Sequence, residues 1–125
     1  MDQLKERVKF INYKGSKILS IDASSLSSDG IIVILDISKA LIRAEPLKSA
    51  LVFGDWTNMN VELKLIDAFK EYMTNNKPHI KYTAIIGVQD FMRGTIEFIL
   101  KALKRDNIKF FKTREEALDF LAAQR

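Results

Sequence analysis

Polar side chains that could bind a ligand or a partner follow a strongly apolar run at residues 50–53. They are Asp55, Thr57 and Asn58. Their carboxylate, hydroxyl and amide groups can hydrogen bond to another molecule or, alternatively, cap the next helix and satisfy loop amides. The continuous apolar run predicts a buried central strand. Because ligands of open α/β sheets bind at the carboxyl ends of the strands, we predict a binding surface over residues 55–60.

Trp56 and Asn60 are the remaining members of this predicted surface. Trp56 is the only tryptophan of the chain. At the end of a strand such a ring either packs into the core or stands exposed as an anchor for a partner, and the sequence favours the core while leaving both open. Asn60 begins the amphipathic segment that follows the turn. Position, rather than a specific motif, makes these residues candidates.

Signals for catalysis or for a metal are weak elsewhere in the chain. Residues 87–94 join a predicted strand to a helix, but they lack the glycine spacing of a nucleotide-binding loop. Arg93 is the candidate there for an anion contact. His79 is the only histidine, and no clustered carboxylates accompany it. Cysteine is absent, which excludes disulfides and thiolate sites. We therefore predict no catalytic residues, no metal and no cofactor.

The net charge of +4 arises in the second half of the chain. Residues 1–62 hold eight basic and eight acidic side chains, whereas residues 63–125 hold twelve and eight. The excess forms a basic cluster, which we define as Lys101, Lys104, Arg105, Lys109, Lys112 and Arg114. Cations stabilise the C-terminus of a helix, and edge lysines discourage aggregation of sheets. The cluster therefore has a structural explanation, and nucleic-acid binding is disfavoured.

Length and composition indicate one folded domain. A chain of 125 residues, 47% of them hydrophobic and 29% charged, can bury an ordinary core without a disulfide or a structural metal. The N-terminal residues carry charges without a signal-peptide core. The longest apolar run, residues 31–35, is too short to span a bilayer. We expect a single domain over residues 1–125, no integral membrane segment and a cytoplasmic location.

The chain as a whole predicts the element order β-β-α-β-α-β-α-β-α. Strands are predicted at residues 8–13, 17–22, 48–55, 80–88 and 108–111, and helices at residues 27–44, 60–75, 90–105 and from Thr113 onward. Gly15 supplies the turn of an opening antiparallel hairpin. Asp90 can cap the third helix, and Thr113 with Glu116 has the spacing of a capping box. Helices as crossovers require a mostly parallel sheet.

Residues 24–46 are the ambiguous part of this prediction. The run at residues 31–35 has strong strand propensity. Ser27 or Ser28 could instead cap a helix, and the apolar residues of the segment would then share one broad side. Pro46 would end that helix. We predict the helix.

Four segments together resemble the STAS domain family (sulfate transporter and anti-sigma factor antagonist), in particular the branch also compared with the CRAL-TRIO lipid-binding fold. These segments are residues 17–22 (KILSID), 51–58 (LVFGDWTN), 76–78 with 84–88 (NKP and AIIGV), and 111–121 (FKTREEALDFL). The likeness spans nearly the whole chain, although each motif is short. It implies a single-domain α/β sandwich and favours the helical interpretation of residues 27–44.

The resemblance also implies a function. STAS-type antagonists are switched by phosphorylation of a serine or threonine in the turn after a central strand, and Thr57 occupies that place here. The Asp-Ser-x-Gly signature of those antagonists is absent, and Trp56 and Asn58 stand in its neighbourhood. We accordingly expect a non-enzymatic regulatory or protein-interaction domain that binds a protein partner. A homodimer through an edge strand or a helix face is compatible with this expectation.

The alternative is a carrier that holds a small apolar or lipid ligand between helices and sheet, as in the CRAL-TRIO-like fold. Aromatic and aliphatic side chains of the second half of the chain could line such a cavity. Their helical spacing favours an ordinary core instead.

Overall fold

A five-stranded sheet forms the centre of the molecule, whose computed structural model describes residues 2–59 and 62–124. The strands are β1 (Val8–Tyr13), β2 (Ser16–Asp22), β3 (Ala50–Asp55), β4 (Ile80–Ile86) and β5 (Ile108–Phe111). Their spatial order is β1-β2-β3-β4-β5. The β1–β2 pair is antiparallel, and the other pairs are parallel. This confirms the predicted mostly parallel α/β sheet with an antiparallel opening hairpin.

The helices connect the parallel strands, as predicted. They are α1 (Asp2–Lys5), α2 (Ser28–Arg43), α3 (Leu63–Asn76), α4 (Asp90–Ala102) and α5 (Arg114–Ala122). A short 3-10 turn, Lys77–His79, precedes β4. Neither α1 nor this turn belongs to the predicted order, which otherwise holds.

The sheet is covered on both faces. Side chains of α2, α3 and α4 pack together on one face, and α5 packs on the other. Because side chains alternate along a strand, Val52 of β3 faces the core on one side while Leu51 and Phe53 face α5. The continuous apolar run of β3 is therefore explained by burial on both faces, as a central parallel strand requires.

The β1–β2 hairpin turns at Lys14 and Gly15, whose φ angles are 49° and 84°. Two successive positive φ values are typical of the tight turns that match the twist of a hairpin. The hairpin is tied to α5 through Asp119, whose Oδ1 accepts hydrogen bonds from Lys14 Nζ and Tyr13 Oη, each at 2.8 Å. These two donors hold the pKa of Asp119 below its usual value, the Lys14 bond having the larger effect.

The ambiguous segment is helical, as predicted. Ser27 caps α2, and its Oγ accepts a hydrogen bond from the backbone N–H of Gly30 at 3.3 Å. The β-branched residues of the run do not prevent the helix, because Ile31 and Ile34 are fully buried in two parts of the core. Burial of one helical face stabilises the segment more than strand propensity opposes it.

Several predicted boundaries are wrong by one to three residues. Strand β3 begins at Ala50 rather than at residue 48, and β4 ends at Ile86 rather than at residue 88. Positive φ angles at Lys48 (55°) and Gly87 (81°) interrupt the extended backbone at these places. Asp90 does not cap α4, because it is the first helical residue and Gln89 occupies the cap without a side-chain bond.

Arg105 is buried, unlike the other members of the basic cluster. It is only 7% exposed. Its Nη1 donates to the carbonyl of Met73 at 2.9 Å, and its Nε donates to Oδ1 of Asn107 at 2.9 Å. Arg105 therefore joins the end of α3 to the start of β5, while the other five members of the cluster are exposed.

The described residues contain no helix that is both long and apolar enough to cross a bilayer.

Candidate functional site

The turn after β3 is built around Asp55. Its Oδ1 accepts hydrogen bonds from the backbone N–H of Thr57 at 3.0 Å and from Thr57 Oγ1 at 2.6 Å. A carboxylate that bonds two residues ahead is the usual Asx turn. Asn58 follows with a φ of 55°, a conformation that asparagine tolerates better than most residues. Asp55 is half-buried, whereas Thr57 and Asn58 are exposed.

Trp56 lies in the core, so it is not part of the exposed surface. It is 9% exposed, and its ring packs on Phe69 of α3 with centroids 4.5 Å apart. Its backbone N–H donates to the carbonyl of Ile86 at 3.0 Å. The core alternative for this residue is therefore the correct one. The indole packs in the core beneath the turn, whereas Thr57 and Asn58 are exposed.

Gly87, in the loop between β4 and α4, lies close against the same turn. It has a φ of 81°, which favours glycine. A Cβ atom there would come within 2.6 Å of the backbone nitrogen of Thr57 and 2.8 Å of its Cα. Only a glycine at this position allows the β4–α4 loop to approach the turn so closely.

A second turn with the same design follows β2. Asp22 Oδ1 accepts from the backbone N–H of Ser24 at 3.0 Å and from the Ser24 hydroxyl. Ser25 then has a φ of 57°, which matches Asn58. Both turns share the pattern Asp-x-Ser or Asp-x-Thr, and this repeated pattern is the sequence signal that would have identified the β2 turn.

The two turns lie side by side. Asp22 and Asp55 are paired in the β2–β3 register. Beyond the strands, the backbone N–H of Ala23 donates to the Asp55 carbonyl at 2.9 Å, and the N–H of Ser25 donates to the Thr57 carbonyl at 2.9 Å. The parallel pairing thus continues through both turns and makes one continuous polar edge.

Arg7 hydrogen bonds to the β2 turn, and it forms no hydrogen bond or ion pair with the described residues 55–58. Its Nη1 donates to the carbonyl oxygens of Ser24 at 2.8 Å and Asp22 at 3.3 Å, and it lies 3.8 Å from the Asp22 carboxylate. Asp55 forms no ion pair with any residue of ranges 2–59 and 62–124. The β3 turn consequently presents a carboxylate without an ion-pair partner in the described ranges, beside the hydroxyl of an exposed threonine.

Two other residues are predicted for the site, Asn60 and Arg93. Asn60 lies outside the described residues. Arg93 donates from Nε to Oε1 of Glu97 at 2.9 Å, and its guanidinium lies 4.9 Å from the centroid of the Phe110 ring. Because these contacts already engage Arg93, the anion contact stays a prediction. Among residues 2–59 and 62–124, no three histidine or acidic side chains lie where they could share a metal ion.

The interior between helices and sheet contains small voids. One, lined by Trp56, Phe69 and Tyr72 among others, measures about 30 Å³, and a second beside it is of similar size. Each has room for one or two water molecules, against roughly 300–1,000 Å³ for a small-molecule pocket. Burial raises the pKa of Tyr72 to about 12, and its hydroxyl lies 3.1 Å from Ser38 Oγ. A carrier function stays a prediction that would require this region to expand.

A solved structure similar to this one is that of an anti-sigma-factor antagonist (STAS) domain protein from Planctomyces limnophilus. The two share 14% sequence identity and a TM-score of 0.59 over 92% of this chain and 97% of that one. No protein-family model and no curated protein sequence matches the chain. The chain has a STAS-like fold, which confirms the predicted resemblance at the level of architecture.

Proposed function

We propose that this STAS-like domain is a non-enzymatic regulatory domain that binds a protein partner through the polar side chains of the turn after β3 (Asp55, Thr57 and Asn58), together with Asn60 further along the chain. We also propose that Thr57 is its phosphoacceptor. The observation that carries the proposal is the exposed residue Thr57, whose hydroxyl donates a hydrogen bond to Asp55 at 2.6 Å. The turn is prearranged by the buried Trp56 and by Gly87. A kinase or a partner would therefore meet one defined surface.

Phosphorylation of Thr57 would change this surface strongly. The phosphoryl group replaces the hydroxyl proton of Thr57, so the hydrogen bond from Oγ1 to Asp55 is lost. The phosphoryl group adds about −1.5 to −2 charges at neutral pH. With two anionic groups next to each other and no cation paired with Asp55 in the described chain, repulsion would open the turn. The two states of Thr57 would then present different surfaces to a partner.

Charge-changing variants test this proposal in the native host. The exposed hydroxyl of Thr95 on α4 provides a matched control, because Thr95→Glu adds the same charge elsewhere. We expect Thr57→Glu to alter the set of proteins that copurify after crosslinking, and Thr95→Glu to retain the wild-type set. Equal sets for wild type, Thr57→Ala and Thr57→Glu would refute the proposal, provided that all variants unfold at similar temperatures.

Mass spectrometry of the protein purified from its host gives an independent check. We expect a covalent phosphoryl mass that fragmentation assigns to Thr57. The same native spectrum tests the two expectations that stay predictions: a homodimer would appear as a doubled mass, and a carried apolar ligand as extra mass lost on denaturation. The cytoplasmic location also stays a prediction, and cell fractionation tests it.

A further inference from the structure

Strand β5 is an edge strand with four residues, and among residues 2–59 and 62–124 it pairs with β4 alone. The carbonyl of Asn107 accepts a hydrogen bond from the backbone N–H of Thr83 at 2.9 Å. Because the backbone groups of a strand alternate in direction, Lys109 and Phe111 direct theirs toward β4, and Ile108 and Phe110 direct theirs outward. The free edge of β5 therefore offers two donors and two acceptors to another extended chain.

An open groove of about 720 Å³ runs along this free edge. Helix α4 borders it on one side and Phe120 of α5 on the other. Its apolar lining includes Phe110 and Phe111 of β5, and the Phe111 and Phe120 rings lie 5.2 Å apart between centroids. An added strand would place alternate side chains against these aromatic rings.

The charges along the groove are mainly positive. Lys101 and Lys109 are exposed, and neither forms an ion pair within the part of the chain that the structure describes. The acidic side chains in the lining are Glu97 and Asp106, and Glu97 is already paired with Arg93. Asp106 is exposed and forms no ion pair among the described residues, so the groove holds two unpaired cations and one unpaired carboxylate next to a free strand edge.

We propose that an extended, acidic peptide segment of a partner protein binds along β5 and adds a sixth strand to the sheet. Main-chain hydrogen bonds to Ile108 and Phe110 would supply affinity, and carboxylates of the segment would pair with Lys101 and Lys109. A second copy of this chain fits less well, because edge-to-edge pairing would bring the lysines of both copies together. The surface is separate from the turn after β3 and does not depend on Thr57.

Selection from a random peptide library tests the charge complementarity. Peptides of about nine residues, within the usual length of a strand, are selected on the wild-type chain and counter-selected on the Lys101→Glu/Lys109→Glu variant. We expect enriched peptides that are acidic with alternating apolar residues, and that bind the variant about tenfold more weakly or worse. The matched control is Lys5→Glu/Lys70→Glu, which changes the net charge equally at exposed positions outside the groove and should bind like wild type.

Backbone hydrogen exchange tests the added strand. With an enriched peptide bound, we expect the amide protons of Ile108 and Phe110 to exchange more slowly, and N-methylation of the peptide along one edge to abolish binding. The proposal is overturned if no peptide survives counter-selection, if those two amides keep their exchange rates, or if only single-stranded DNA or anionic vesicles bind the groove. A dimer that the Lys101→Glu/Lys109→Glu variant makes tighter would also overturn it, since that would identify a second copy as the occupant.

Discussion

The turns after β2 and β3 share one local geometry but have different surroundings. In each, an aspartate accepts hydrogen bonds from the backbone and hydroxyl of the residue two positions ahead. In the β2 turn, Arg7 hydrogen bonds to the carbonyl of Ser24, and Ser24 is half-buried. In the β3 turn, Gly87 lies close to Thr57, the Trp56 ring is buried in the core, and Thr57 is exposed. The same short pattern therefore gives a turn with a half-buried serine in one place and a turn with an exposed threonine in the other.

The largest effect that separates the two turns is expected from Gly87→Ala. The new Cβ would collide with the backbone of Thr57, and the positive φ would strain the alanine. We expect a loss of about 2 kcal/mol or more in the free energy of unfolding, with faster amide exchange in the β3 turn only. Urea denaturation and hydrogen exchange measure both effects.

Gly94→Ala is the control for that substitution. Gly94 lies inside α4, and a Cβ there would meet no atom within 4 Å. We expect this variant to be more stable by up to about 1 kcal/mol, because alanine favours a helix. A Gly87→Ala variant as stable as wild type would contradict the close approach of the β4–α4 loop to Thr57.

An intermediate effect on the free energy of unfolding is expected from Arg7→Met, which weakens the β2 turn. The substitution keeps an apolar stem and removes the hydrogen bonds to the carbonyls of Asp22 and Ser24. Arg7 makes two hydrogen bonds and its side chain is 32% exposed, so we expect a loss of about 1.5 kcal/mol. The amides of Ser24 and Ser25 should exchange faster, and those of the β3 turn should not.

Lys5→Met serves as the control in the same segment, because Lys5 is exposed. It should leave the exchange rates of both turns unchanged. If Arg7→Met opened both turns equally, the hydrogen bonds that join them would couple their stabilities, and the two turns would not be independent.

The smallest effects are expected from removal of the hydroxyl groups. Thr57→Val and Ser24→Ala each delete one hydrogen bond to an aspartate. Because Ser24 is half-buried and Thr57 is exposed, we expect about 1 kcal/mol for Ser24→Ala and about 0.5 kcal/mol for Thr57→Val. Urea denaturation of both variants measures the difference. A larger loss for Thr57→Val would indicate that the Thr57 hydroxyl stabilises the fold, which would argue against a role as a switch.

Much of the architecture follows from patterns within single segments. The apolar run of β3, the amphipathic stripe of α3 and the Thr113 capping box each identify an element, and the capping bond from Glu116 N–H to Thr113 Oγ1 is present at 3.1 Å. Helix α2 is harder to predict than these, because its β-branched run favours a strand while the serine before it favours the start of a helix. Burial of its apolar face resolves the conflict, and that burial is a property of the whole sheet.

The candidate site was only partly predictable. Asp55, Thr57 and Asn58 were identified from their position after a buried strand. The β2 turn is less evident in the sequence, because its pattern, Asp22-Ala23-Ser24, follows a shorter apolar segment and contains no tryptophan. Turn and packing geometry is the expected role of a glycine such as Gly87. Its contact with Thr57 could not be predicted, since the two residues are distant in the chain and meet only when the β4–α4 loop approaches the β3 turn.

The amino-acid sequence by itself determined the features that arise from neighbouring residues. These are the order of strands and helices, the tight hairpin at Gly15, the capped starts of α2 and α5, and the polar turn at Asp55. Backbone preference, capping and side-chain period act over a few residues. The tertiary structure alone decided that Arg105 is buried, that Trp56 faces the core, and that Arg7 contacts one turn and not its neighbour. Each of those outcomes depends on which distant segments the sheet brings together.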